Sequence, residues 1–303
     1  MSMSETALLA HAPTGLSIEA RIAELVASGS LEMSPRDADQ IAEAAPLLPT
    51  NMRVYVNALP GRLHYATLRA MEALRDEGLD PVPHIAARRL ESRKALIEFA
   101  RGAAHAGAHR ILLVGGDQAR PAGPYSSSMD VLKEDILGRY KFREVAFAGY
   151  PEGHPRIEQN VLDEALTGKL RLARQQGLDV SVVTQFSFAP VRIAEYCAAL
   201  GRLHPELPVY VGMAGPTSTL ALLRYAQRCG VSASLRALSG MGVAAARLVT
   251  HSDPMEQLAA LAHHGEAGGT SNAVGAHFFS FGGFVNTARF VNRIIARVSG
   301  ASA

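Results

Sequence analysis

Seven polar side chains stand at or near the ends of short apolar segments, and their types suit proton transfer and the binding of a polar ligand. They are two acids, two amides, an imidazole, a phenol and a hydroxyl: Glu32, Asp117, Asn57, Gln185, His84, Tyr150 and Ser280. A buried carboxyl group costs free energy unless it is paired or protonated, and an acid that burial keeps partly neutral can donate a proton. Glu32 is therefore a candidate general acid; the alternative is a structural ion pair with Arg36 or another arginine. A histidine such as His84, taken alone, is more often a hydrogen-bonded core residue than a functional one.

The stretch from Arg110 to Asp117, Arg-Ile-Leu-Leu-Val-Gly-Gly-Asp, predicts a strand that is buried on both faces. Gly115 and Gly116 at its end allow the backbone to approach a flat ligand or to turn with positive φ. Asp117 then stands where a parallel sheet or barrel presents its chemistry. The alternative is a tight turn in which Asp117 caps the next helix.

These residues belong to a regular alternation of short apolar segments and helical patterns. Eight segments have the length and composition of strands: 29–35, 53–58, 81–86, 110–117, 144–150, 180–188, 209–214 and 277–281. The pattern predicts an α/β fold, a (β/α)8 TIM barrel with extra helices between strands 7 and 8. In such a barrel the seven polar residues meet at one mouth. An open doubly wound sheet is the alternative, but no glycine-rich phosphate motif follows the first strand. We expect residues 1–14 to form a flexible N-terminal tail and 15–303 a single catalytic domain.

The amino-acid composition argues against several classes of binding partner. The 303 residues carry a formal charge of +2 with no long basic run, which argues against nucleic acid, and no apolar stretch reaches the roughly 20 residues of a membrane span. Cys197 and Cys229 are isolated, so we expect reduced thiols and a cytoplasmic protein. A metal is not expected, because the adjacent His263 and His264 lie on different helix faces.

Five motifs occur in series between about residues 28 and 290: Ser30-Leu-Glu-Met-Ser-Pro-Arg36, Pro83-His84, Gly116-Asp117, Ala148-Gly-Tyr-Pro-Glu-Gly-His-Pro155 and Thr184-Gln185-Phe186. In order and register the chain resembles the methylenetetrahydrofolate reductases, whose catalytic domain is a (β/α)8 barrel that carries a flavin at the strand C-termini. The resemblance implies an oxidoreductase of one-carbon metabolism and methionine biosynthesis. It would use NADH or NADPH to reduce 5,10-methylenetetrahydrofolate to 5-methyltetrahydrofolate.

The resemblance also assigns roles. Glu32 would protonate the folate imidazolidine nitrogen, and Asp117 would stabilise the cationic iminium intermediate. The substrate would be bound by Gln185, Asp117 and Leu220. Residues that match the flavin-binding positions, or stand in their place, are Asn57, His84, Gly115, Gly116, Tyr125, Ser126, Ala148, Tyr150, His154, Asp163 and Lys169. We expect a homo-oligomer.

The chain departs from the family pattern at several of these positions. Gly115 stands where the family has an arginine, Asn57 where it has a threonine, and Leu220 where an aromatic side chain stacks on nicotinamide and folate. Three alternatives stay open: a flavoprotein that uses FAD, a flavin-free variant with direct hydride transfer, and a folate-binding or methyl-transferring barrel without reductase activity.

Overall fold

A computed structural model of the chain describes residues 17–58, 64–187, 189–217, 254–266 and 272–299. Eight parallel strands follow one another around a closed barrel in chain order, and β8 pairs with β1. The strands are β1 (Ser30–Met33), β2 (Arg53–Val56), β3 (Asp80–Ala86), β4 (Arg110–Val114), β5 (Glu144–Gly149), β6 (Asp179–Thr184), β7 (Val209–Ala214) and β8 (Ala273–Phe279). The predicted (β/α)8 barrel is confirmed.

Helices lie between the strands and cover the outside of the barrel. In the described part of the chain they are α1 (Ile18–Ala27), α2 (Ile41–Ala44), α3 (His64–Asp76), α4 (Arg93–His105), α5 (Ser128–Leu132), α6 (Gln159–Gln175), α7 (Pro190–Leu203), α8 (Met255–Glu266) and α9 (Phe284–Ser299). Ser92 is the N-cap of α4, and its side chain accepts a hydrogen bond from the backbone N–H of Ala95. None of the helices that the structure describes combines the length and apolar character that a membrane crossing requires.

Several elements differ from the sequence prediction. The strands expected over 110–117 and 180–188 end at Val114 and Thr184. The helical sequence pattern near 129–137 is helical only as far as Leu132, because the chain turns through Asp135 with a φ of 50°. Strand eight begins at Ala273, four residues before the expected start at His277. The expected N-terminal tail over 1–14, the helix expected over 235–249, Leu220 and Cys229 lie outside the described residues.

The barrel interior is closed by a layer of side chains that point inward from the strands: Tyr55, Val82, Leu112, Ala146, Val183 and Tyr210. Such layers make the inside of a barrel a packed core and not a pore. The strand C-termini above this layer and the strand N-termini below it are therefore two separate environments.

A network of charged side chains closes the N-terminal end of the barrel. Glu144 accepts hydrogen bonds from Arg53 Nη1 at 3.2 Å, from Arg110 Nε at 2.8 Å and from Ser181 Oγ at 2.8 Å. Arg110 also pairs with Asp80. Each carboxylate of this network has a guanidinium partner.

Candidate functional site

At the opposite end of the barrel, Glu32 lies between two histidines. Its Oε2 is 3.5 Å from Nε2 of His84 on β3 and 3.7 Å from Nε2 of His277 on β8. The side chain of Asn57, just after β2, lies near this carboxyl group, and its amide helps to lower the pKa of Glu32. Four neighbouring strand segments thus bring one carboxyl group, two imidazoles and one amide together.

His277 was not among the residues that sequence reasoning selected. Its imidazole is fully buried, and Nδ1 lies 2.8 Å from Oγ of the buried Ser30. The ring of Tyr55 packs edge-on against both imidazoles, with centroid distances of 4.8 Å to His277 and 6.0 Å to His84. Tyr55 therefore lies beneath the cluster, in the layer of side chains that fills the barrel interior. The alternation of side chains along a strand could have identified His277, because this residue and Phe279 lie on the same face of β8.

The surroundings of Glu32 favour its ionised form. Burial alone would raise the pKa of Glu32, but the neighbouring His84 and His277 and the Asn57 amide outweigh it, so the pKa lies below its ordinary value. Burial lowers the pKa of His84, although the charge of Glu32 opposes this. The pairing of Glu32 is with two histidines, in place of the Arg36 pair that the sequence left open. In the ligand-free site Glu32 is thus a carboxylate that must take up a proton before it can donate one.

A cavity of about 590 Å³ opens beside this cluster. Its wall includes Asn57, His84 and Tyr150 together with the glycine pair and Asp117 of the β4 end. Asp117 is 67% exposed, and its Oδ1 accepts a hydrogen bond from Arg89 Nη2 at 2.9 Å. Arg89 also donates to the backbone oxygen of Ala58. Asp117 therefore reaches the cavity as one half of an ion pair and does not cap the next helix, α5, whose N-cap is Ser127.

A second cavity of about 410 Å³ adjoins the first and has a different charge. Four basic residues line it, Arg88, His154, Arg156 and Lys169, and the described lining contains no carboxylate. The Nζ of Lys169 lies 5.0 Å from the centre of the Phe147 ring, and burial lowers the pKa of Lys169 to about 8. Ser126 and Ala148 also line this cavity. It can accept a ligand that carries an anionic group.

Gly115 and Gly116 lie where the two cavities meet, and both glycines line both of them. A Cβ at Gly115 would meet nothing within 4 Å, and Gly116 has a φ of 92°. A side chain at residue 115 would therefore project into open space beside the cavities. Glycine at this position keeps the passage between them wide.

Other residues selected from the sequence lie elsewhere. Tyr125 is buried and donates a hydrogen bond to Glu134, and Asp163 is exposed and accepts one from Gln159. Neither is in the described wall of the two cavities. The buried Ser280 donates from both its N–H and its hydroxyl to the backbone oxygen of Glu32, so it fixes the end of β8 to β1. The side-chain oxygen of Gln185, half-buried at the end of β6, accepts a hydrogen bond from the backbone N–H of Phe186.

Among the residues that the structure describes, no group of three histidine, cysteine or acidic side chains is arranged to hold a metal ion. No protein-family model matches the chain.

Solved structures resemble the chain along most of its length. One is a protein from Clostridium thermocellum that binds two copies of 5-methyl-5,6,7,8-tetrahydrofolic acid. It has a TM-score of 0.58 and 10% sequence identity, and the match covers 89% of this chain and 95% of that one. Another is a dihydropteroate synthase from Thermus thermophilus, with a TM-score of 0.48, 17% identity and coverage of 91% and 93%. At 10% identity the likeness to the Clostridium thermocellum protein concerns the fold alone, and it agrees with the closed eight-stranded barrel seen here.

Proposed function

We propose that the protein reduces 5,10-methylenetetrahydrofolate to 5-methyltetrahydrofolate with NADH or NADPH as the hydride donor. The observation that carries the proposal is the position of Glu32, a carboxyl group held between His84 and His277 at the mouth of the barrel. Two further arguments support it. The chain resembles the methylenetetrahydrofolate reductases in five ordered motifs, and its fold is like that of a protein that binds 5-methyltetrahydrofolate.

The reaction needs one proton and one hydride. A proton delivered to the imidazolidine nitrogen breaks a carbon–nitrogen bond of the five-membered ring and leaves a cationic iminium, and a hydride then adds to the methylene carbon. Glu32 is the proton donor in this proposal. Because its pKa is lowered, the carboxylate first takes a proton from solvent, and His84 and His277 hold it in position for both steps.

Asp117 has an electrostatic role in the same proposal. A negative charge beside a developing cation stabilises it, most strongly where water is excluded. In the free protein Arg89 neutralises part of that charge at 2.9 Å. Asp117 must therefore turn from Arg89 toward the ligand, or share its charge between the two, when folate binds.

The basic lining of the second cavity supports the binding of a phosphate-bearing cofactor such as FAD. Arg156, His154 and Lys169 would face its phosphates, and Ser126 and Ala148 would line its remaining surface. If bound there, a flavin would supply a hydride carrier between the nicotinamide and the folate. Gly115 leaves one cationic contact of the family absent, so the flavin-free variant with direct hydride transfer remains the alternative for the same Glu32 and Asp117.

A second function stays open: a folate-binding or methyl-transferring barrel without reductase activity. The structural likeness to a protein that binds two copies of 5-methyltetrahydrofolate favours it. Glu32 would then be a hydrogen-bonding group for the bound folate and would transfer no proton.

The purified protein tests these alternatives directly. We expect oxidation of NADH or NADPH that depends on methylenetetrahydrofolate, with one 5-methyltetrahydrofolate formed for each nucleotide oxidised. A flavin absorption spectrum would identify the flavin-dependent form, and a colourless protein with the same turnover would identify direct transfer. Folate binding without any nucleotide oxidation would contradict the reductase proposal and leave the binding barrel.

A further inference from the structure

The end of β8 carries a cluster of aromatic rings beside the Glu32 site. Phe279 follows His277 on the inward face of the strand, and their ring centroids are 4.8 Å apart at 87°. Phe279 is also the register partner of Glu32 across the β1–β8 pair. Phe278, between them, points the other way and packs at 5.7 Å on Phe290 of α9. The aromatic cluster therefore lies next to the carboxyl group of Glu32.

Phe281 lies two residues beyond the end of β8, and its ring stacks on that of Phe279. The two rings are 5.9 Å apart with an interplanar angle of 14°, and both side chains are half-buried. The fully buried Phe186, after β6, meets each of them edge-on at 5.6 Å and 5.3 Å. Phe186 therefore holds two nearly parallel rings whose surfaces stay partly accessible at the mouth.

The backbone supports this arrangement in two places. Phe281 has a φ of 48°, a left-handed conformation that is unfavourable for a bulky side chain and that tends to persist at ligand-binding sites. On β7, a Cβ at Gly212 would come within 2.1 Å of the backbone oxygen of Thr184 and within 2.9 Å of the Phe279 ring, so glycine lets both the backbone and the ring approach this strand. Gly282, which follows Phe281, lines the cavity that contains Asn57 and His84.

We propose that Phe279 and Phe281 form a stacking wall for a flat aromatic ring of the folate. This inference rests on the proposed function and adds the residues that bind the substrate ring. Flat heteroaromatic rings stack on phenyl rings with an offset, and the wall presents phenyl rings beside the group that handles the proton. Folate offers two such rings, the pterin and the p-aminobenzoyl group. Either ring would stack on the phenyl rings of the wall in the same way.

Calorimetric titration with 5-methyltetrahydrofolate tests the wall, on the wild-type protein and on Phe279→Leu and Phe281→Leu. Leucine keeps an apolar side chain on the same backbone but removes the aromatic face. We expect each variant to bind about tenfold more weakly, since stacking on one aromatic ring contributes about that much, and Phe281→Trp to bind like the wild type. Phe290→Leu is the matched control, because its ring packs behind β8, and it should lower the melting temperature without changing affinity.

Two fragments distinguish the ring that stacks. Titration with a reduced pterin and with p-aminobenzoylglutamate should show that Phe281→Leu weakens the fragment that uses the wall. Wild-type affinity for folate in both leucine variants, or an equal loss in Phe290→Leu, would overturn the stacking wall while leaving the proposed function intact. A wild-type protein that binds none of the three ligands would overturn the proposed function itself, and the wall with it.

Discussion

The two ends of the barrel each hold an inward-facing carboxylate, but the two carboxylates differ in how closely their partners approach them. At the N-terminal end Glu144 accepts hydrogen bonds from Arg53, Arg110 and Ser181, all at 3.2 Å or less. At the C-terminal end Glu32 faces imidazole nitrogens at 3.5 and 3.7 Å. Among the described residues, Nε2 of His84 and of His277 and Oδ1 of Asn57 are buried without a hydrogen-bond partner.

This difference suggests a structural role for the Glu144 network and a ligand-binding role for the Glu32 cluster. Buried polar atoms without partners are rare in folded proteins, since each costs free energy, and they are expected where a ligand supplies the partner. The Glu144 network has its guanidinium partners already and holds the strands together. The Glu32 cluster keeps hydrogen-bonding capacity that a bound folate could use. Each of the following predictions tests one side of this comparison.

The largest expected effect is on turnover at the C-terminal end. Glu32→Gln keeps the shape of the side chain but cannot carry the proton, so turnover should fall by about 10²- to 10⁴-fold, the usual contribution of a general acid. Steady-state oxidation of NADH or NADPH with methylenetetrahydrofolate measures it. Glu43→Gln is the control, because Glu43 forms an exposed pair with Arg289 at 2.6 Å, away from the site. Unchanged turnover in Glu32→Gln would show that another group supplies the proton.

The next effect is on stability at the N-terminal end. Glu144→Gln leaves the guanidinium groups of Arg53 and Arg110 without their shared partner, so the free energy of unfolding should fall by about 3 kcal/mol. Urea unfolding followed by circular dichroism measures the loss. Glu32→Gln should change stability much less than this, and Glu144→Gln should keep the turnover of each folded molecule. Equal losses of stability at both ends would remove the distinction between them.

A smaller effect concerns pH and the second cavity. Burial lowers the pKa of Lys169 to about 8, so its ammonium is charged below pH 8 and neutral above it. Affinity for a phosphate-bearing ligand should therefore fall as the pH rises through 8, by about tenfold for each unit in the limit where the ligand needs the charge. Titration with FAD between neutral and alkaline pH measures this. Lys169→Met should abolish the dependence, whereas Lys94→Met, an exposed lysine of α4, should retain it.

The smallest effect separates two serines that differ mainly in location. Ser30→Ala removes the hydroxyl that holds His277 at 2.8 Å, and Ser181→Ala removes the one that bonds Glu144 at 2.8 Å. Each should cost about 1 kcal/mol of stability, the net value of one hydrogen bond, and Ser30→Ala alone should also slow turnover by about fivefold. Parallel melting curves and rate measurements test the pair. Slower turnover in Ser181→Ala would contradict the separation of the two ends.

The sequence predicted the barrel and the strand-end residues because both follow from short-range patterns. Strand and helix periodicity determine the alternation of elements, and the barrel topology then places Glu32, Asn57 and His84 at one mouth. The partner of Asp117 could not be predicted, since the Arg89 contact depends on side-chain rotamers at the ends of two neighbouring strands. His277 was missed because strand eight was expected to begin at this residue, which would place it at the opposite end of the barrel, whereas the strand begins at Ala273. The position of Tyr125 outside the described cavity walls could not be predicted, because nothing in the loop sequence shows that its side chain turns inward toward Glu134.

The central claim, that Glu32 handles the proton, is tested most directly by the pH dependence of kcat/KM for methylenetetrahydrofolate. A proton donor must be protonated, and the pKa of Glu32 is lowered by its neighbours His84 and His277 and the Asn57 amide. Above that pKa the protonated fraction, and with it kcat/KM, should fall by about tenfold for each pH unit. The account predicts this slope in the wild type and its loss in Glu32→Gln. The same slope and similar rates in Glu32→Gln would contradict it.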